Sequence, residues 1–278
     1  ISPYIYGINQ SGNQDNYNKF TVNAIRQGGN RFTGYNWETN ASNAGADWQH
    51  CSDNYLSDSS DPADCVQTLS REATANGIGY KLATLQLAGY VAADKNGSVS
   101  ETETAPSDRW NQVVLTKGSA FADTPDLTDG NVYMDEYVHY IIEKLGNSQS
   151  ASGIQGYSLD NEPALWHTSH SRLHPNPVTI AELHEKSVEM AKAVKALDPD
   201  AEIFGPALYG YTAYDHLADG DSSTEWETIQ AEKGYHWYLD CYLDQMKQAS
   251  DAAGTRLLDV LDIHYYSESA RVGAEDRV

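Results

Sequence analysis

The sequence lacks any apolar run near the roughly 20 residues that a membrane-spanning helix needs, and it is poor in basic side chains. There are 18 Lys and Arg residues against 40 Asp and Glu residues, which gives a formal net charge of -22. Such a surface repels phosphate backbones and anionic lipids. The composition therefore excludes nucleic acid and membranes as expected partners and suits a neutral ligand.

Phenylalanine is also scarce: the chain has four Phe but 19 Tyr and six Trp. Tyr and Trp combine an apolar ring with a polar group, so they can stack on sugar rings and hydrogen-bond to hydroxyls. This bias favours a carbohydrate-binding surface. The alternative is a compositional habit of a polar, secreted protein.

Cysteine is limited to three residues. Cys51 and Cys65 bracket a polar loop, and a disulfide between them would stabilise the fold by roughly 3 kcal/mol on the loop-entropy model. A disulfide indicates an oxidising compartment, so the expectation is a secreted, extracellular protein. The alternative is two free loop cysteines. Cys241 lies in a helical pattern and is expected to be a buried thiol.

Strand-like and helix-like segments alternate along the chain. Strands are predicted at residues 4–8, 30–37, 79–87, 153–160, 201–208 and 257–266, and helices at 17–27, 66–75, 134–145, 179–197 and 235–253. Six alternations predict a parallel α/β fold, and no glycine-rich phosphate turn follows the first strand. We therefore expect a (β/α)₈ TIM barrel rather than a doubly wound sheet.

A closed barrel needs eight strands, and only six are predicted. Residues 1–278 are therefore expected to be the N-terminal part of a barrel domain. The expectation is that strands seven and eight come from a second chain or a C-terminal fragment of the same precursor, or are lost. Polar insertions at residues 40–64 and 94–130 follow strand ends and are expected to border the active-site face.

Asp160-Asn161-Glu162-Pro163 is the most informative motif. It ends the fourth predicted strand, and the C-terminal ends of barrel strands carry the chemistry. Glu162 fits the proton donor of a glycosidase, and Asn161 fits a hydrogen-bond donor to a sugar 2-hydroxyl. The competing interpretation is a helix-capping loop.

Other candidate substrate-binding residues lie near predicted strand ends. Each of them has a competing interpretation as a packed core residue or, for the arginine, as part of an outward salt bridge. The candidates are Asn36, Trp37, Arg31, Trp166, His264 and Tyr266.

An acidic loop places Asp123, Asp126 and Asp129 at intervals of three. Flexible loops of this kind supply oxygen ligands to calcium, although the spacing is not an EF-hand. A solvated acidic run is the alternative. The sequence predicts no cofactor for catalysis and at most a structural calcium ion.

The chain resembles glycoside hydrolase family 44. The residues that carry the resemblance are the segments 36–45, 52–56, 157–166 and 262–266, and the Asn-Glu-Pro segment is the most specific of them. The resemblance implies a (β/α)₈ barrel with a β-sandwich domain that is mostly completed by sequence outside this chain. It also implies a retaining mechanism with Glu162 as acid/base, a nucleophilic Glu on strand seven, and a bound metal with calcium among the candidates.

The sequence thus favours a retaining endo-β-1,4-glucanase acting on cellulose-type glucans or xyloglucan, with its nucleophile outside this chain. Two alternatives stay open. One is a non-catalytic glucan-binding protein, and the other is a barrel glycosidase acting on xylan or mannan.

Overall fold

The fold is described from a computed structural model, which describes residues 2–10, 17, 21–218 and 221–266, without the side chains of 221–223. The strands are β1 Gly7–Asn9, β2 Ala24–Arg26, β3 Ser42–Asn43, β4 Cys51–Asp53, β5 Tyr80–Leu85, β6 Tyr90–Ala92, β7 Gly97–Ser98, β8 Trp110–Val114, β9 Asn131–Tyr133, β10 Gly156–Leu159, β11 Glu202–Leu208 and β12 Val260–Ile263. The helices are α1 Asn30–Thr33, α2 Asp64–Ala75, α3 Met134–Leu145, α4 Trp166–Ser169, α5 Ile180–Leu197, α6 Tyr211–His216, α7 Asp221–Lys233 and α8 Tyr238–Ala253. Short 3₁₀ turns lie at Pro3–Ile5, Gly45–Trp48, Glu101–Glu103 and Pro163–Leu165.

The main sheet has six parallel strands in the order β1-β2-β5-β10-β11-β12. Each strand pairs with the next one along the chain within this sheet, as in a (β/α)₈ barrel. In β5 and β10 every residue is buried. The strands therefore form a partial TIM-barrel α/β fold, and their C-terminal ends meet at one edge.

The second strand of this sheet lies elsewhere than the sequence predicts. Residues 24–26 form β2 between β1 and β5, whereas residues 30–33, at the start of the predicted strand, form a short helix. The remainder of the helix predicted at 17–27 lies partly outside the described residues. The prediction was wrong because a three-residue strand is too short to show alternation, and its pairing with residues 80–82 decides its conformation.

The two polar insertions, with the residues that flank the second one, form two small sheets. Strands β3, β4 and β7 form one three-stranded sheet, and β6, β8 and β9 form another. Four residues separate the end of β5 from the start of β6, so the second small sheet lies on the C-terminal side of the barrel strands.

Helix α5 illustrates how the sequence specifies the outer layer. The Thr179 side chain accepts a hydrogen bond from the Glu182 backbone N–H at 3.1 Å, which satisfies one of the free donors of the first turn. Its apolar face is buried at helical spacing, by Ile180, Leu183, Met190 and Val194. Among the described residues, no helix is both long enough and apolar enough to cross a bilayer.

Candidate active site

Glu162 lies just beyond the C-terminal end of β10. Its backbone is left-handed, with φ 47°, and its N–H donates to the Ala207 carbonyl at 2.9 Å, which ties it to β11. The carboxyl is 13% exposed and borders a cleft of about 550 Å³, together with Tyr209, Tyr214 and Tyr266. The carboxyl of Glu162 is thus held at the wall of a cleft that has room for a sugar ring.

Asp160 anchors the turn that carries Glu162. It is fully buried, and its carboxylate accepts hydrogen bonds from Thr33 Oγ1 at 2.6 Å and from the backbone N–H groups of Leu87 at 2.6 Å and Ala88 at 3.1 Å. It also accepts from the Asn161 N–H at 2.7 Å. Burial raises the pKa of Asp160 above its ordinary value, while these hydrogen bonds oppose the rise. The carboxylate therefore holds a left-handed residue, φ 65°, that would otherwise be strained.

His264 orients the Glu162 carboxyl. Its Nδ1 lies 2.7 Å from Glu162 Oε1, and its Nε2 lies 3.4 Å from Arg26 Nη2. A guanidinium only donates hydrogen bonds, so His264 Nε2 accepts and the ring proton sits on Nδ1. His264 therefore donates to Glu162 Oε1.

Asn161 is held at both ends of its amide. Its Oδ1 accepts from Arg26 Nη2 at 2.9 Å, and its Nδ2 donates to Asn30 Oδ1 at 3.2 Å. Its backbone carbonyl accepts from Trp166 Nε1 at 3.2 Å. The amide is thus fixed next to Glu162, which lines the cleft, while Asn161 itself is buried.

Arg26 contacts Asn161 and His264, whereas Arg31, a predicted substrate-binding residue, lies in the salt bridge that was its alternative interpretation. Arg31 lies on α1, where it forms an ion pair with Asp53 at 2.6 Å and lies over the Tyr55 ring. Gly28 leaves the room that Arg26 occupies, since a Cβ at Gly28 would overlap the Arg26 guanidinium.

Comparison with known proteins identifies the family of this chain. The family model for glycoside hydrolase family 44 matches residues 41–269. The chain belongs to this family. It is 49% identical over 279 residues to endoglucanase A of Paenibacillus lautus, a match that covers 97% of this chain and 38% of that protein.

Solved structures of family 44 enzymes superpose closely on the described fold. The Paenibacillus polymyxa xyloglucanase, solved with xyloglucan, matches with a TM-score of 0.90 at 49% identity, over 97% of this chain and 52% of that one. The Clostridium thermocellum endoglucanase Cel44A matches with a TM-score of 0.90 at 54% identity, over 97% and 52%. This family 44 chain thus spans about half the length of the structures that it matches.

Three predicted substrate contacts of this family 44 chain are buried instead. Trp37 stacks on Tyr137 with ring centroids 5.3 Å apart and is fully buried. Asn36 donates to the Ala92 carbonyl at 3.1 Å and is buried, and Trp166 is packed under the acid loop. A buried ring cannot stack on a sugar, so the structure does not place Trp37 and Trp166 as stacking surfaces, and the Asn36 amide is buried as well. Of the predicted contacts, His264 and Tyr266 line the cleft.

The acidic loop does not assemble a metal site in the described residues. Asp126 accepts from Thr128, and Asp129 accepts from the Asn131 N–H and the Tyr133 hydroxyl. Within the described part of the chain, no group of three or more His, Cys, Asp or Glu side chains is arranged to hold a metal ion. Calcium therefore stays a prediction for this family 44 chain, and the geometry does not bring Asp123, Asp126 and Asp129 together as a ligand set.

A buried carboxyl near this loop gave no signal in the sequence. Glu38 is buried. Burial, followed by the charges of Asp129 and Glu136, raises the pKa of Glu38 to about 8. The charge of Lys117, which pairs with Glu136 at 2.5 Å, opposes this rise.

The predicted disulfide is not formed. Cys51 and Cys65 are both free thiols, and Cys65 Sγ lies 3.4 Å from the Leu56 carbonyl instead. Burial raises the pKa of Cys65 to about 12, so this thiol is held in its neutral form. The prediction that Cys241 is a buried free thiol is confirmed.

Proposed function

We propose that the protein carrying this chain is a retaining endo-β-1,4-glucanase that acts on cellulose-type glucans and xyloglucan, with Glu162 as its acid/base. The observation that supports this most directly is the hydrogen bond of Glu162 to His264 at the wall of an open cleft. The relatives bear the names endoglucanase and xyloglucanase, which agrees with this substrate class.

The geometry suits two proton transfers. His264 holds Glu162 Oε1, so Oε2 is the oxygen that can carry the catalytic proton. In the first step a nucleophilic carboxylate attacks the anomeric carbon while Glu162 protonates the departing glycosidic oxygen. In the second step Glu162 takes a proton from water, which attacks the same carbon and releases the nucleophile.

The second carboxylate is proposed to be a Glu outside this chain, about 5 Å from Glu162 as retaining enzymes require. In the relatives the matched region forms part of one longer polypeptide. We therefore propose that the rest of the barrel and a β-sandwich domain belong to the same polypeptide rather than to a second chain.

Secretion and a structural calcium ion are further parts of the proposal. Polymeric glucans are too large to enter a cell, so an enzyme that cleaves bonds within the glucan chain has to act outside the cell. The carboxylates of Asp123, Asp126 and Asp129 are the kind of oxygen donor that calcium prefers, although the described geometry does not gather them as a ligand set. If calcium binds, its chemistry there is structural.

Replacing Glu162 by Gln tests the acid/base assignment. The amide keeps the shape and cannot donate the catalytic proton, so kcat on unactivated polysaccharide should fall by roughly 10²–10⁴-fold with substrate affinity nearly unchanged. On an aryl glycoside with a good leaving group, the rate of the first step should fall much less. Glu185→Gln, on an exposed position of α5, is the matched control.

Unchanged turnover in Glu162→Gln would remove this residue from the mechanism. Wild-type protein that binds glucan without releasing reducing ends would instead support the non-catalytic binding alternative. Rates on a panel of glucan, xyloglucan, xylan and mannan would decide the backbone preference.

A further inference from the structure

Asn161 can serve a sugar 2-hydroxyl only if its amide nitrogen, rather than its oxygen, is presented to the substrate. The two ends of an amide are hard to distinguish by shape, so the surrounding hydrogen bonds decide its orientation. Around Asn161 the deciding groups are Arg26 and Asn30.

A chain of hydrogen bonds with a charged group at each end fixes this orientation. At one end, Asp47 Oδ2 accepts from Asn30 Nδ2 at 2.9 Å, and a carboxylate can only accept. Asn30 must therefore turn its Oδ1 toward Asn161. At the other end, Arg26 can only donate, so Asn161 turns its Oδ1 toward Arg26.

We propose that Asn30 is a positioning residue that, through Asp47, locks the Asn161 amide so that its second Nδ2 hydrogen is available to the substrate 2-hydroxyl. This inference rests on the proposed glycosidase function and deepens it. Asn161 is 2% exposed, so a flipped amide would bury a donor–donor contact with Arg26 Nη2 and an acceptor–acceptor contact with Asn30 Oδ1.

The position of Asn30 agrees with this role. It is the first residue of α1, which follows β2 and the two glycines after it, and its backbone thus lies at the C-terminal side of the sheet. Asp47 lies in the 3₁₀ turn Gly45–Trp48 and is exposed. Changing Asp47 should therefore alter the hydrogen-bond chain without disturbing a packed core.

The test uses the full-length enzyme and two aryl cello-oligosaccharides with the same leaving group, one with and one without the 2-hydroxyl on the sugar at the cleaved bond. Asn30→Leu should lower kcat about tenfold on the 2-hydroxy substrate and leave kcat on the 2-deoxy substrate unchanged. KM should change little, since the 2-hydroxyl bond strengthens in the transition state. Asn30→Asp keeps the oxygen that accepts from Asn161, so it should recover part of the loss.

Asp47→Asn is the second variant, and it protects the test against misfolding of Asn30→Leu. An amide at position 47 can donate or accept, so Asn30 loses its fixed direction. We expect a smaller loss, about threefold, again only on the 2-hydroxy substrate. Asn96→Leu, at an exposed loop position, should leave both rates unchanged.

A double-mutant cycle completes the test. In an Asn161→Ala background, Asn30→Leu should cause no further loss, because the two residues act through one contact. Equal losses on both substrates, or additive losses in the cycle, would overturn the positioning role and indicate a structural one. These results differ from failure of the proposed function, in which Glu162→Gln retains activity or the wild type shows none.

Discussion

The centre and the open edge of the main sheet use the same parallel pairing but differ in burial. Every residue of β5 and β10 is buried, and β10 leads directly into Asp160 and Glu162. In β12 at the edge, buried positions give way to half-buried and exposed ones, with Leu261 and Ile263 each 40% exposed. Both strands therefore carry the site at their C-terminal ends, β10 through Glu162 and β12 through His264, but they differ in how much burial supports it.

The same contrast applies to polar groups. On the acid/base side, charged groups at both ends fix the direction of each hydrogen bond, in a series that runs through Asp47, Asn30, Asn161, Arg26, His264 and Glu162. Preorganised donors of this kind cost no rearrangement during the reaction. The residues that surround the proposed proton donor thus lie within this chain, whereas the proposed nucleophile is not among the described residues.

The largest expected effect tests this contrast in stability. Asp160→Ala removes a buried carboxylate that satisfies four donors, and we expect the free energy of unfolding to fall by about 3–5 kcal/mol, since each buried donor left unpaired costs about 1–3 kcal/mol. Leu261→Ala, at the half-exposed edge, should cost less than about 1 kcal/mol in this 278-residue chain, because most of its burial is absent. Denaturant unfolding of both variants measures the difference.

Equal losses in the two variants would show that the centre and the edge of the sheet do not differ in stability. If Asp160→Ala is too unstable to purify, Thr33→Val provides a milder version. It removes one of the four donors at nearly constant volume, and the expected cost is about 1 kcal/mol.

The pH dependence of stability probes the loop behind Glu162. His170 is buried against Gly45; burial, followed by the charge of His50, lowers the pKa of His170 to about 3. The unfolded chain binds this proton near pH 6.5, so the stability that neutral His170 contributes is complete above that pH. It is lost as the pH falls from about 6.5 toward 3, at no more than about 1.4 kcal/mol per pH unit.

The window between pH 6.5 and 5 isolates this histidine from Glu182. Although burial opposes it, the contacts of Glu182 with His174 and Lys186 lower the pKa of Glu182 to about 2, so its contribution is lost only below about pH 4.5. His170→Phe cannot take up a proton, so its slope of unfolding free energy against pH in this window should be lower than that of wild type by up to about 1.4 kcal/mol per pH unit. Glu38, whose pKa burial raises to about 8, titrates in both proteins and cancels in the comparison. An unchanged slope would mean that His170 is protonated in the folded protein.

Local signals in the sequence pointed to Glu162 as the proposed acid but did not reveal Arg26, which contacts its neighbours Asn161 and His264. The strand followed by Asn161, Glu162 and a proline is visible because the strand is apolar and the proline ends it. Arg26 could not be assigned, because its strand is three residues long and its partners lie 135 and 238 residues away. Contacts between residues so far apart in the sequence follow from the pairing of strands in the sheet. No local sequence pattern predicts that pairing.

Aromatic residues show the same limit. Trp37 and Tyr266 both follow patterns typical of strand ends, yet Trp37 is fully buried and Tyr266 is 56% exposed. The difference comes from Tyr137 on α3, which stacks on Trp37 and lies 100 residues further along the chain. Residue type predicted an aromatic surface, whereas packing decided which rings form it.

The smallest expected effect concerns the glycine beneath Arg26. In Gly28→Ala the new methyl group would overlap the Arg26 guanidinium, which is the flexible end of a side chain and can move. The fold should therefore tolerate the change, with a melting temperature within a few degrees of wild type, on the order of 1 kcal/mol. Displacement of Arg26 frees Asn161 and His264, so kcat should fall about tenfold, equivalent to about 1.4 kcal/mol.

Gly79→Ala is the matched control. A Cβ at Gly79 meets nothing within 4 Å, so this variant carries the same loss of glycine flexibility without touching Arg26. Activity and melting temperature should stay at the wild-type values or rise slightly. If Gly28→Ala and Gly79→Ala have the same kcat, the Arg26 guanidinium does not position Asn161 and His264 for catalysis. The centre and the edge of the main sheet would then differ in stability only.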